Sequence, residues 1–117
     1  MQTPTITTAI PKHRYQFGPY QAVLLSDIES PDPVRYRYIL ALVRTGEAKP
    51  SVFVNCEKNP RAQAQDGSHR MRILSKQGNE DLGSSDDYAD ADFFASAALA
   101  AAARVLGLEG IAPVQQS

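Results

Sequence analysis

The sequence predicts an α+β fold: an antiparallel meander of four to five strands with one C-terminal alanine-rich helix packed on one face. Three observations carry that prediction. Apolar residues recur with period two through much of residues 20–75, turn-forming clusters separate those runs, and from residue 90 the apolar period becomes that of a helix. Charge divides near the same boundary. Residues 1–78 hold eleven Lys/Arg against six Asp/Glu and residues 79–117 hold one against seven, so a basic half of +5 precedes an acidic half of −6 in a chain of net charge −1.

Residues 1–12 carry four threonines together with Pro4 and Pro11, a composition that reads as a disordered N-terminal tail. The single domain is expected over residues 13–108. A short strand at Arg14–Phe17 leads through Gly18-Pro19 into a strand over Tyr20–Ile28. The turn Ser30-Pro31-Asp32-Pro33 precedes the clearest alternation, in which Val34, Tyr36, Tyr38, Leu40 and Leu42 share one side and Arg35 and Arg37 take the other. After a turn at residues 45–50, Ser51–Lys58 places Val52, Val54 and Cys56 on one face and Phe53, Asn55 and Glu57 opposite. A polar loop over 59–67 leads to a strand at His69–Ser75, where Met71 and Ile73 point inward and Arg70 and Arg72 outward.

A half-apolar sheet needs a cover, and residues 90–106 supply it. At about 100° per residue, Ala91, Phe94, Ala95, Ala98, Leu99, Ala101, Ala102, Val105 and Leu106 fall on one arc. Asp90, Asp92, Ser96 and Arg104 lie off it. The aspartates around the first turn and Arg104 in the last complement the helix dipole, with Ser84, Ser85 or Asp86 as capping candidates. Gly107, Gly110 and Pro113 read as a helix stop, and residues 109–117 as a disordered C-terminal tail.

The bulk composition excludes several classes. At 117 residues, 43% apolar and 21% charged, the chain fits one globular core without room for a second domain. A pI near 6.1 argues against a general nucleic-acid binder. No apolar run approaches the roughly eighteen residues of a membrane span. Cys56 is the only cysteine, so no intrachain disulfide forms and a reducing cytoplasm is the expected location.

Chemistry-bearing residues are few. Glu80, Asp81, Asp86, Asp87, Asp90 and Asp92 are oxygen ligands of the kind calcium and magnesium prefer, but neither Asp81 nor Asp86 starts an EF-hand spacing, and helix capping accounts for most of them. Cys56 with His69 or His13 offers a thiol and a base, yet Cys56 sits among valines and no catalytic motif surrounds it. No metal or other cofactor is expected, and the chain is not expected to be an enzyme; a small enzyme built on Cys56 and His69 is the further alternative.

Two surfaces remain. Strand parity places Arg35, Arg37, Phe53, Asn55, Arg70 and Arg72 on the outward sheet face, an arrangement suited to single-stranded nucleic acid or a phosphate ligand. On the helix, Phe93, Ala97, Ala100 and Arg104 form an outward ridge that either pairs with a second copy or folds against the segment at 79–85. The expected function is therefore a non-catalytic binding or protein-interaction module that self-associates as a homodimer, with room for an unidentified protein partner.

Overall fold

A computed structural model describes residues 3–60 and 65–116. The α+β expectation holds. Among the described residues there are seven strands: β1 (Thr8–Phe17), β2 (Tyr20–Glu29), β3 (Tyr36–Arg44), β4 (Val52–Lys58), β5 (His69–Ser75), β6 (Gly78–Ser85) and β7 (Val114–Gln115). A 3-10 turn at Asp86–Ala89 leads into α1 (Ala91–Leu106). All strand pairs are antiparallel, in the order β6-β5-β4-β3-β2-β1-β7.

The strand count exceeds the expected four to five for identifiable reasons. β1 begins at Thr8, so residues 8–12 are paired strand rather than tail; Pro11 is accommodated because β1 lies near the sheet's edge and shifts register between Pro11 and His13. β6, GNEDLGSS, carries Leu82 as its sole apolar side chain, so no alternation announces it. β7 returns the chain to β1, pairing Gln115 with Tyr15 and Val114 with Gln16 inside the expected C-terminal tail. Acids on β6 and Pro11 and Lys12 on β1 blunt the sheet's two sides against further pairing.

The helix forms as the wheel predicts. Asp90 is its N-cap, its carboxylate accepting from the Phe93 N–H at 3.1 Å, and Gly107 ends it in the left-handed region at φ 70°. Ser85, a candidate cap for α1, instead caps the 3-10 turn. Phe94, Ala95, Ala98, Leu99, Ala101, Ala102 and Ala103 are buried against Tyr38, Leu40, Leu42, Val54, Cys56, Met71 and Ile73. The Phe94 and Tyr38 rings stack at 5.9 Å. Each large apolar side chain in this layer contributes about 2 kcal/mol by burial.

The sheet's other face is also covered, although no helix among the described residues reaches it. Asp27 adopts φ 49°, and β1 shifts register twice, so the far end of the β1–β2 hairpin bends. Ile6 and Ile28 thereby pack over Ile39, Ala41, Phe53 and Leu74, a second apolar cluster. The N-terminal arm is tied down by the Thr7 N–H, which donates to the Glu29 carbonyl at 2.8 Å, and by the Thr5 N–H, which donates to Asp32 at 2.9 Å.

One local irregularity redistributes the expected site. Tyr36 pairs with Glu57 and Tyr38 with Cys56, so Arg37 is an extra residue inserted into β3. The alternation of residues 34–42 therefore breaks. Tyr38, Leu40 and Leu42 face the helix, whereas Tyr36 joins the opposite face and Arg37 is turned toward the helix side, its Nε donating to the Ala89 carbonyl at 3.4 Å.

Candidate functional site

Four adjacent strands, β3 to β6, set the polar half of the face opposite α1. Register places Tyr36, Glu57 and Arg70 in one row and Asn55, Arg72 and Asp81 in the next. Glu57 is at the centre, 2% exposed. Its carboxylate accepts from Arg70 Nη2 at 2.9 Å and lies 3.6 Å from Arg72 Nη1, while Arg70 Nη1 lies 3.5 Å from Asp81. Two guanidinium groups around one buried carboxylate are a compensated arrangement, because an isolated ion there would carry a large desolvation cost.

A cleft of about 350 Å³ opens above this cluster, between the arm at Pro4 and Thr5 and the side chains of Tyr36, Asn55, Glu57 and Arg72. Asp32 holds its rim. The Tyr36 hydroxyl donates to Asp32 at 2.7 Å, and burial followed by the Asp32 contact pushes the Tyr36 phenol well above its ordinary value. Asp32 in turn is held below the usual carboxyl value by the hydrogen bonds from the Thr5 N–H and Tyr36. Both groups therefore keep fixed roles at neutral pH: Tyr36 donates and Asp32 accepts.

Asn55 stands out within the cleft. It is 2% exposed, and its Oδ1 has no hydrogen-bond partner among the described residues. Arg70 Nε is likewise buried without a partner. An unpaired buried carbonyl costs about 1–3 kcal/mol, so native proteins rarely keep one without a use.

The outward-face set is thus split. Asn55, Arg70 and Arg72 do share one face, as parity requires, but Phe53 is buried beneath Ile6 and Leu25 and offers no ring for stacking. Arg70 and Arg72 are engaged with Glu57. Arg37 has left the face through the bulge, and Arg35, just before β3, lies at the sheet's end beside Lys58 and His69. The picture of four free arginines around an exposed aromatic is corrected accordingly. Tyr36 and Asp32 were missed because the Arg-Tyr-Arg-Tyr alternation runs unchanged through the bulge; Asp32 in a Pro-Asp-Pro turn was the one visible signal of a rim.

The other candidates can be placed in turn. Cys56 is fully buried on the helix side, its thiol donating to the Tyr88 carbonyl at 3.3 Å, and burial pushes it up to about 12, far from a thiolate at neutral pH. The acids from 80 to 92 are dispersed into local duties: Asp81 accepts from the Gly83 N–H, Asp86 from the Ser68 N–H and Asp90 caps α1. On α1, Phe93 is 47% exposed with Ala100 and Arg104 also exposed and Ala97 half-buried, and the Phe93 ring lies 6.0 Å from that of Tyr88. Among the described residues no helix is long and apolar enough to cross a membrane.

No family model, curated protein or solved structure matches the chain.

Proposed function

We propose that this domain is a non-catalytic binding module whose ligand occupies the cleft over Asn55. The single observation that carries the reading is the buried, unpaired Asn55 Oδ1 in that cleft. It requires a hydrogen-bond donor. The flanking charges are already matched, Glu57 by two arginines and Asp32 by Thr5 and Tyr36, so the fitting ligand is compact, uncharged and polar, such as an amide, a urea or an alcohol. The protonated, enclosed Cys56 thiol supports a role without covalent catalysis, and a lone reduced cysteine suits the cytoplasm.

Asn55→Leu tests this directly. An apolar residue with the same branching at Cγ removes the unpaired carbonyl, so the free protein gains about 1 kcal/mol in denaturant unfolding while amide-shift responses of Tyr36 and Arg72 to a panel of small amides and polyols disappear. A loss of stability would mean that Asn55 is satisfied within the fold, and the reading would fall.

A second reading, self-association through α1, is favoured by the exposed Phe93 and by charge. Asp90 and Asp92 lie at one end of the helix and Arg104 at the other, so two copies of α1 packed antiparallel about a twofold bring acids against arginine. Sedimentation should show a dimer that Phe93→Asp converts to monomer. A wild-type monomer at high concentration would dispose of this reading without touching the cleft.

A further inference from the structure

The bulge in β3 has a second consequence at the sheet's end near the start of α1. Arg35, Arg37, Lys58 and His69 line one cavity of about 300 Å³, with the Ala89 carbonyl at its wall. Local pairing explains why they meet. The Lys58 N–H donates to the Arg35 carbonyl at 2.8 Å, His69 pairs with Lys58 across β4 and β5, and Arg37 is swung in by the bulge. Arg37 is further oriented by its bond to Ala89 and by lying 5.1 Å over the Tyr38 ring.

These cations differ from Arg70 and Arg72 in one respect. Among the described residues, Arg35, Arg37 and Lys58 form no ion pair with a carboxylate, whereas Arg70 and Arg72 both do. Like charges gathered without a paired carboxylate repel one another, and an anion seated between them reverses that cost. Alongside lies a second hollow of about 480 Å³ that shares Arg35 and Lys58 and continues past Pro33, Val34 and Pro60. The charged cavity thus opens beside a wall with apolar surface.

We propose that Arg35, Arg37, Lys58 and His69 form a binding site for a small phosphate monoester, with the phosphoryl group among the four side chains and the organic body against Val34 and Pro60. Arginine supplies planar donors to phosphate oxygens and lysine a mobile charge, the pairing by which proteins hold phosphoryl groups. The ligand is small because the two hollows admit one phosphoryl group and a modest body, not a strand of nucleic acid. Arg35, Arg37, Lys58 and His69 do not line the cleft over Asn55, although Pro33, Val34 and Tyr36 border both, and binding here is tested on those four side chains independently of the cleft.

His69 provides a built-in reporter. Burial, then the Arg37 and Lys58 charges, hold its imidazole below the ordinary value, opposed by Asp86; Ser68 Oγ lies 2.7 Å from its Nδ1. A bound phosphate dianion adds negative charge and raises it. The experiment follows the His69 ring signals by NMR across pH, with inorganic phosphate, phenyl phosphate and a short single-stranded oligonucleotide as probes at matched ionic strength.

The expected result is that phenyl phosphate binds more tightly than inorganic phosphate and shifts the His69 titration upward. Arg35→Gln and Lys58→Gln, both at exposed positions, each weaken binding about tenfold with the fold intact. Lys49→Gln, in the turn at the opposite end of β4, leaves it unchanged. An unmoved His69 titration at millimolar phosphate and phenyl phosphate would overturn the proposal, as would binding that survives both substitutions. Binding of the oligonucleotide with no response to either small phosphate would overturn it in favour of nucleic acid.

Discussion

The two faces of this sheet are made by the same strands and buried by different means. On one side Tyr38, Leu40, Val54 and Ile73 meet Phe94, Ala98 and Ala102 of a sixteen-residue helix, in a layer of almost entirely apolar side chains. On the other side Ile39, Ala41, Phe53 and Leu74 meet only Ile6, Leu25, Ile28 and Tyr36, and the neighbouring rows hold Asn55, Glu57, Arg70 and Arg72. The first face spends its area on stability. The second keeps a buried carboxylate ringed by partly exposed arginines and an unpaired carbonyl that a pure stability requirement would have replaced with hydrocarbon. The difference marks the face opposite the helix as the one shaped by something besides folding.

That contrast predicts unequal responses to substitution. Phe94→Ala on the helix face removes a fully buried ring that stacks on Tyr38 and lies edge-on to Tyr88, and should cost about 4 kcal/mol in denaturant unfolding with an unchanged slope. Glu57→Gln on the opposite face should cost less, about 2 kcal/mol, because the two arginines it abandons are partly solvated and Arg70 retains Asp81. If Glu57→Gln proved the costlier, the ion cluster would be the principal support of the fold and the division of labour between faces would collapse. The gain expected for Asn55→Leu sharpens the same point, since no comparable gain is available among the side chains beneath α1.

What the sequence revealed follows the same division. β2 to β5 and α1 were legible because each buries a continuous apolar stripe, and the expected span 90–106 matched the observed helix, although its cap is Asp90 and not Ser84, Ser85 or Asp86. β6 and β7 were not legible, since strands at or beside a sheet edge with polar side chains leave no periodic signal. Parity correctly grouped Asn55, Arg70 and Arg72. It failed at Tyr36 and Arg37, where one inserted residue exchanged the faces of a tyrosine and an arginine within an unbroken alternation. The cover over Phe53 was hidden for a different reason: Ile6 lies in a threonine- and proline-rich arm whose packing depends on Asp32, a contact spanning 27 residues.

The smallest effect concerns that arm. Asp32 accepts from the Thr5 N–H and from the Tyr36 hydroxyl, and both contacts hold its carboxyl below the ordinary value of 3.8. A group whose folded value is depressed stabilises the state that contains it above the unfolded value and loses that contribution as pH falls through the folded value. The arm should therefore stay latched at neutral pH and loosen only below about pH 4, where protonation removes the acceptor charge. Asp32→Asn should reproduce the loosened state at pH 7: the Thr5 amide exchanges faster with solvent, while amides of α1, which share no contact with the latch, keep their protection. Helix amides that lost protection together with Thr5 would show the two faces to be one cooperative unit. Retained protection would establish that the cover over Asn55 opens on its own, as a cleft that admits a ligand requires.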